Sequence, residues 1–392
     1  MTAVLAAVLA LFATGCSSDG GGSGDEWALK PTPSSGDASP GASASGGAAD
    51  PPPTATPVTP PDKGSVTVVS TLTEGLRSPW GAVALPNGDL LVSSRDDGTI
   101  TRVGGPGGTR TEVGSVPGVA HGGEGGLLGL ALSPGFATDR QLFAYLTTES
   151  DNRIVMMRFD ERKPAGKQLG APDTVVRDIP KGSTHNGGRI AFGPDGMLYA
   201  GTGEAGQREL SQDRDSLGGK ILRMTPDGRP ASGNPVPGSL VYSMGHRNVQ
   251  GLAWDSGKRL WAAEFGQNTW DELNLITPGG NYGWPKAEGR SGQPGLIDPV
   301  EQWRTSEASP SGIAYASGSI WMAGLRGERL WRIPLAGAEP SAEPQAFLQE
   351  KHGRLRTVLA VDGSRLWLVT SETDGRGSPG PGDDKILQLE VR

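Results

Sequence analysis

The residues best suited to chemistry in this 392-residue chain lie in short glycine-rich segments. All four histidines, at positions 121, 185, 246 and 352, lie within four residues of an arginine or a glutamate. His185 precedes Asn-Gly-Gly-Arg and a short apolar segment, which places it at the entrance to a predicted strand. A lone histidine is most often structural, but four histidines in segments of one kind favour a shared polar site.

Four arginines, Arg247, Arg326, Arg354 and Arg356, come from three separate segments of the chain. The guanidinium group binds carboxylates through two parallel hydrogen bonds, so this set predicts a small, planar ligand with several negative charges. The alternative is a rim of surface charge that binds no ligand. Nearby positive charge would also favour the neutral form of His185, which suits a general base.

Oxygen donors are concentrated between Glu264 and Tyr282, where carboxylates alternate with glycines. Carboxylate and backbone carbonyl oxygens are the ligands that Ca²⁺ prefers. This segment therefore predicts a calcium site.

A repeated unit must position these residues. It consists of a turn rich in glycine, asparagine or aspartate, a strand with alternating apolar residues, and a second, outer strand. The first strands are 90–94, 197–201, 260–263, 320–323 and 366–369, and the outer strands are 99–103, 220–224, 271–276, 329–333 and 385–389. Residues 127–159 form a sixth unit without the glycine turn. Six units in residues 65–392 predict an all-β, six-bladed β-propeller; the alternative is a pair of β-sandwiches.

The first 64 residues have a different composition. Residues 1–15 are small and apolar, too short a run to span a bilayer, and are typical of a secretory signal peptide. Residues 16–64 are rich in Gly, Ser, Ala, Pro and Thr, and cannot bury enough apolar surface to fold. We therefore expect a flexible linker between an export signal and the propeller.

Cys16 is the single cysteine of the chain and ends the sequence Ala-Thr-Gly-Cys. This junction is typical of a bacterial lipoprotein and predicts a lipid anchor in the membrane and an extracytoplasmic location; the alternative is an incidental cysteine in a signal peptide. A single cysteine excludes an intrachain disulfide bond and a cysteine-based metal site. The net charge of −7 gives no indication of nucleic acid as a partner.

Taken together, these segments resemble the soluble sugar dehydrogenases that use pyrroloquinoline quinone (PQQ), the glucose/sorbosone and aldose sugar dehydrogenases. The resemblance extends from about Arg77 to the C-terminus. It is carried by Gly-Glu-Gly-Gly-Leu-Leu-Gly at 123–129, His-Arg-Asn-Val-Gln-Gly-Leu at 246–252, Asp-Glu-Leu-Asn at 271–274 and Gly-Gly-Asn-Tyr-Gly-Trp-Pro at 279–285.

The resemblance implies PQQ and Ca²⁺ as cofactors, an aldose as substrate, a lactone as product and an external electron acceptor. It implies that His185 takes the proton of the anomeric hydroxyl and that Arg247 polarises the quinone. The residues implied to contact the cofactor are Glu124, Asn248, Phe265, Arg326, Arg354 and Arg356. The implied calcium ligands are the carbonyls of Gly266 and Gln267 beside the cofactor, and Glu272 and Tyr282 at a second, structural site.

The chain also departs from the family pattern. Phe265 replaces a usual Gln or His, Gln267 replaces a common Pro, and Thr184 replaces an Asp of the glucose enzymes. Residues 289–312 are too few for the long substrate-covering loop of those enzymes. Two alternatives follow: a sugar- or ligand-binding propeller that has lost oxidation, and a metal-dependent hydrolase or lactonase. The latter is disfavoured because the predicted central residues are Arg and His, where that class uses carboxylates and amides.

Overall fold

The computed structural model of the chain describes residues 60–105 and 107–392. The predicted signal peptide (1–15), Cys16 and the linker up to residue 59 lie outside this range. The described residues form β-strands, one four-residue helix, α1 (Phe136–Asp139), and a 3-10 helix at Arg208–Ser211. None of the helices in this range is long and apolar enough to cross a membrane.

The strands form six antiparallel sheets, each a blade of a six-bladed β-propeller, as predicted. Blade 1 contains β2 (Pro79–Ala84), β3 (Leu90–Ser94), β4 (Thr99–Gly104) and β5 (Thr109–Ser115). Blade 2 contains β6 (Leu127–Leu132), β7 (Gln141–Thr147), β8 (Asn152–Arg158) and β9 (Asp173–Ile179). Blade 3 contains β10 (Ile190–Phe192), β11 (Leu198–Gly201), β12 (Lys220–Met224) and β13 (Val241–Met244).

Blade 4 contains β14 (Val249–Trp254), β15 (Leu260–Glu264), β16 (Trp270–Ile276) and β17 (Glu301–Arg304). Blade 5 contains β18 (Pro310–Ala316), β19 (Ser319–Gly324), β20 (Arg329–Ala336), β21 (Glu339–Pro340) and β22 (Gln345–Phe347). Blade 6 contains β23 (Leu355–Ala360), β24 (Arg365–Thr370) and β25 (Ile386–Val391), and its outermost strand is β1 (Val66–Thr73) from the other end of the chain.

The pairing of β1 with β25 closes the ring. Val66 lies opposite Val391 in this antiparallel pair, so the two ends of the described chain meet in one sheet. Closure joins the first and last blades through the chain termini, and each blade keeps only a short outer edge.

The predicted outer strands are the third strands of the blades rather than the outermost ones. In blade 1, for example, β4 is covered by β5, and in blade 6 β25 is covered by β1. The sequence did not predict the fourth strands, because they are polar and partly exposed. In β5, for example, only two of the seven residues are buried. Their alternation of apolar and polar residues is correspondingly weak.

Apolar side chains fill the space between neighbouring blades. Leu91, Leu127 and Leu142 belong to one buried cluster between blades 1 and 2, and Trp321, Leu355 and Leu368 to another between blades 5 and 6. The innermost strands approach each other even more closely. The main-chain N–H of Gly129 donates to the carbonyl of Gly188 across the boundary between blades 2 and 3. The segments that precede the innermost strands therefore converge at one end of the ring.

The last residues of the predicted linker contact blade 5. The buried Arg332 guanidinium donates to the carbonyl of Pro61 (2.7 Å) and to the side chain of Gln345 (2.9 Å). Gln345 in turn accepts the main-chain N–H of Gly64 at 2.8 Å. Residues 60–64 are thus held against the propeller before β1 begins.

Candidate active site

A cavity of about 430 Å³ opens where the six blades converge. Every blade, or the segment that leads into its innermost strand, contributes to the wall. Ten of the twelve predicted site residues line it: Glu124, His185, Arg247, Asn248, Phe265, Gly266, Gln267, Arg326, Arg354 and Arg356. Glu272 and Tyr282 do not. The sequence did not single out several further lining residues, including Trp80, Arg95, Gln250, Asp271, Asp374 and Arg376.

His185 is fixed by two carboxylates. Its main chain has a φ of 56°, in the left-handed region that few residues other than glycine adopt, and its N–H donates to Glu124 at 2.7 Å. Its ring Nδ1 lies 2.5 Å from Oε1 of Glu204, whose side chain is 1% exposed. When Nδ1 donates to this carboxylate, Nε2 is the nitrogen left to accept a proton.

The sequence did not indicate Glu204 as a neighbour of His185, because it indicated only cations around this histidine. The structure adds a buried carboxylate, which bonds Nδ1 and fixes the orientation of the ring. One feature of the sequence could have indicated Glu204 as a site residue. It is an acidic residue in a Gly-Thr-Gly-Glu segment at the end of β11.

Arg247 extends across the site from the beginning of blade 4. Its main-chain N–H donates to Glu264 (2.8 Å), its Nη1 donates to the carbonyl of Gly266 (2.6 Å), and its guanidinium lies 5.4 Å from the ring centre of Trp284. Burial lowers the pKa of Arg247. Its buried Nε has no hydrogen-bond partner among the described residues. The guanidinium therefore retains donor capacity for a ligand.

Asn248 supports the segment that carries the histidine. Its side-chain oxygen accepts the main-chain N–H of Gly187 at 2.9 Å, and the residue is 2% exposed. This contact joins the segment before β14 of blade 4 to the segment between His185 and β10 of blade 3.

Arg354 and Arg356, from blade 6, share a single carboxylate. Both guanidinium groups reach Oδ2 of Asp374, at 3.0 and 2.8 Å. Burial alone would raise the pKa of Asp374, but Arg356 and Arg354 together hold it below its usual range. Burial also lowers the pKa of Arg356 to about 10. One anion for two cations leaves this wall with unbalanced positive charge.

The cavity lining contains more cationic than anionic side chains. Six arginines face the cavity, namely Arg95, Arg247, Arg326, Arg354, Arg356 and Arg376, against three carboxylates, Glu124, Asp271 and Asp374. Arg376 pairs with Glu124 at 2.7 Å, and Arg326 is exposed at the rim. Such an excess of guanidinium groups suits a ligand with several carboxylates.

The loop 266–270 forms another part of the wall, and two carboxylates bind its backbone. Asp271 accepts the N–H of Gly266 (2.9 Å) and that of Ser309 (2.6 Å), and burial raises its pKa to about 7. Oε1 of Glu288 accepts the N–H groups of residues 267, 268, 269 and 270, at 2.7 to 3.2 Å. Burial would raise the pKa of Glu288, but these four bonds lower it.

Glu272 lies in β16 of blade 4, and Tyr282 lies in the segment after β16, where its N–H donates to Met244 of β13; neither residue lines the cavity. Burial and the neighbouring Glu264 raise the pKa of Glu272, and Asn274 Nδ2 donates to both carboxylates, at 2.9 and 3.1 Å. The Tyr282 hydroxyl donates to the carbonyl of Leu275 (2.7 Å), and its ring stacks on His246. His246 is therefore a structural residue.

Residues 76–379 match the model of the glucose/sorbosone dehydrogenase family. The chain belongs to this family. A solved PQQ-bound aldose sugar dehydrogenase from Streptomyces coelicolor is 69% identical, with a TM-score of 0.84 over 85% of this chain and 100% of that chain.

Two further relatives are more distant. The aldose sugar dehydrogenase YliI of Escherichia coli is 28% identical over 338 residues, which are 78% of this chain and 91% of the relative. Quinoprotein glucose dehydrogenase B of Acinetobacter calcoaceticus is 31% identical over 242 residues, which are 54% of this chain and 50% of the relative.

The residues present fit the cofactor that this family membership implies. The arginine-rich wall suits the carboxylates of PQQ, and the buried Nε atoms of Arg247 and Arg354 have no partner in the described part of the chain. The carbonyls of Gly266 and Gln267 are the type of oxygen that binds Ca²⁺, although they would need further oxygens from a ligand.

Inside blade 4, the buried side chains of Glu264 and Glu272 both accept from Asn274, and Glu264 Oε1 also lies 2.8 Å from Nδ1 of His246. Only two acidic groups meet there. The described residues contain no cluster of three or more His, Cys, Asp or Glu side chains that could hold a metal.

Proposed function

We propose that this chain is a PQQ-dependent aldose dehydrogenase, which oxidises the anomeric carbon of an aldose to a lactone, uses Ca²⁺ and passes the electrons to an external acceptor. The observation that carries the proposal is that one cavity is lined by His185 and by six arginines, and that Glu204 orients the histidine. Family membership and the Streptomyces relative with bound PQQ support it.

The chain's own residues would bind the cofactor and move one proton. Arg354, Arg356 and Arg326 would bind the carboxylates of PQQ, and the carbonyls of Gly266 and Gln267 would hold its Ca²⁺. Bound PQQ supplies the acceptor for the hydride that leaves the anomeric carbon. His185 would take the hydroxyl proton on Nε2, while Glu204 stabilises the charge that the ring gains. Arg247 would stabilise negative charge that develops opposite the base.

The second candidate is a propeller that binds a sugar or another ligand without oxidising it. Phe265 favours this alternative because its half-buried side chain lines the cavity where a polar residue would contact the cofactor more strongly. Phe265 can also stack on a planar ring, so its presence fits both candidates.

Titration of the purified protein with PQQ and Ca²⁺ separates the two candidates. We expect a change in PQQ absorbance, an increase in Tm, and bleaching of an added dye when an aldose is present. A protein that binds PQQ but reduces no dye with any aldose would be a binding propeller. Failure to bind PQQ at all would reject the proposed cofactor.

The variant His185→Ala tests the proposed base. We expect turnover to fall at least about 100-fold, the lower range for loss of a general acid–base group, because His185 is the group proposed to take the hydroxyl proton. PQQ affinity should stay within a few-fold of wild type, because the arginine wall is intact. Near wild-type turnover would show that His185 is not the base.

We also propose that the protein is exported and lipid-anchored through Cys16. The support is the apolar run at residues 1–15 and the position of the single cysteine directly after it.

A further inference from the structure

The loop 266–270 carries the proposed carbonyl ligands of Ca²⁺, and carboxylates bind all of its main-chain N–H groups. Five consecutive N–H groups donate to carboxylates: that of Gly266 to Asp271, and those of the next four residues to a single oxygen of Glu288. A carboxylate that accepts several main-chain N–H groups forms a strong anchor, because these bonds are charge-assisted.

This arrangement determines where the carbonyl groups point. In a trans peptide unit, the C=O of one residue is directed opposite to the N–H of the next. The N–H of Gln267, bound to Glu288, therefore turns the carbonyl of Gly266 away from Glu288, and the N–H of residue 268 does the same for the carbonyl of Gln267. Arg247 confirms the direction on the cavity side, because its Nη1 reaches the Gly266 carbonyl at 2.6 Å.

Glu288 is itself held in place by blade 4. The next residue, Gly289, donates its main-chain N–H to the buried Glu272 at 2.7 Å. A Cβ atom at Gly289 would lie 2.6 Å from the ring of Trp270, so the segment packs directly on the end of the loop. The segment that carries Glu288 is therefore bonded to and packed against β16, whereas Gln267 has no covalent restraint on φ of the kind that proline provides.

We propose that Glu288 is a positioning residue of the cofactor site, which fixes the carbonyls of Gly266 and Gln267 for the Ca²⁺ that accompanies PQQ. The inference rests on the proposed function. It adds Glu288, which does not line the cavity, to the residues that serve this function. Glu288 touches neither substrate nor cofactor and acts through the loop.

The variants Glu288→Ala and Glu288→Gln of the full chain test the proposal, with Glu339→Ala as control. Glu339 is an exposed glutamate in β21, at the outer edge of blade 5. In Glu288→Ala we expect affinity for PQQ, titrated at fixed Ca²⁺, to weaken by about 10- to 100-fold, as is typical for residues that support metal ligands. Glu288→Gln keeps an acceptor oxygen and should lose less. Glu339→Ala should match wild type.

Hydrogen–deuterium exchange of the protein without PQQ gives a second readout. The amides of residues 267–270 should exchange faster in Glu288→Ala than in wild type, while those of the blade strands remain protected. Adding Gln267→Pro to Glu288→Ala should recover part of the PQQ affinity, because proline restricts φ without needing the carboxylate.

The outcomes separate this inference from the proposed function. If the wild type binds PQQ and Glu288→Ala shows wild-type affinity and exchange, the inference is overturned alone. If the wild type does not bind PQQ, both the proposed function and the inference are rejected. If Glu288→Ala does not fold, the same two measurements are made on Glu288→Gln. Wild-type PQQ affinity and wild-type amide exchange in Glu288→Gln would then overturn the inference.

Discussion

At the scale of single residues, the site is defined by how few anions accompany its arginines. Asp374 is the one carboxylate shared by Arg354 and Arg356, and its side chain is only 3% exposed. Removing one member of a buried charge group leaves the others without compensation, which is more costly than never having buried them. Asp374 is therefore expected to hold the arginine wall together before any ligand binds.

The variant Asp374→Asn should lower the free energy of unfolding by about 3 kcal/mol at pH 7, the range for breaking a buried pair. Asp374 has a folded pKa below its usual 3.8, so its stabilising effect is complete above that pH and is lost as the pH falls below it. The difference from wild type should thus shrink on acidification. Urea unfolding between pH 7 and pH 3 measures it.

The exposed pair of Asp362 and Arg365 supplies the control, because Asp362→Asn should change stability little. Added PQQ should restore part of the stability of Asp374→Asn, since its carboxylates can replace the missing anion. A pH-independent difference between Asp374→Asn and wild type would contradict the assigned pairing.

At the scale of elements, the site depends on how closely the innermost strands meet. A Cβ atom at Gly129 in β6 would lie 2.2 Å from the carbonyl oxygen of Gly188, and one at Gly251 in β14 would lie 2.4 Å from that of Ser311. Both contacts join neighbouring blades beside the axis. The strands can converge only because these positions lack a side chain, and the convergence brings His185 and Arg247 into one cavity.

The variant Gly129→Ala should therefore destabilise the protein by about 1–3 kcal/mol, the usual cost of overpacking. It should also weaken PQQ binding, because the boundary between blades 2 and 3 leads directly to His185. Gly363→Ala is the matched control, since no atom lies within 4 Å of the added Cβ. Equal melting temperatures for the two variants would show that the strands can separate without cost.

At the scale of the whole molecule, the ring is closed within residues 60–392. β1 completes blade 6, and Arg332 fastens the carbonyl of Pro61 to blade 5. The stability of the propeller should therefore be independent of what happens at Cys16.

The variant Cys16→Ser of the full chain separates anchoring from folding. We expect the protein to move from the membrane fraction to the soluble fraction of the producing cells, with its Tm and PQQ affinity unchanged. Fractionation followed by thermal melting of both pools measures this, with Ser17→Ala as control. Continued membrane association of Cys16→Ser would reject the lipid anchor.

The amino-acid sequence by itself determined the fold class and most of the site. The alternation of apolar residues and the recurring turns are local properties, because strand side chains alternate between two faces and turns depend on a few adjacent residues. Six repeats therefore predicted six blades. The residues that interrupted the repeats, such as His185 and Arg354, were predicted as site residues, and the cavity contains ten of the twelve.

Only the tertiary structure decided which groups act on each other. Glu204 orients His185, Asp374 joins two arginines, and Glu288 binds a loop about twenty residues away in the chain. Arg356 and Gln250 are separated by 106 positions and meet at 3.1 Å. Such contacts follow from ring closure and from blade-to-blade packing, which bring the ends of distant strands together. Local alternation carries no information about them, and the fourth strands were missed for a related reason, because their polar residues alternate too weakly.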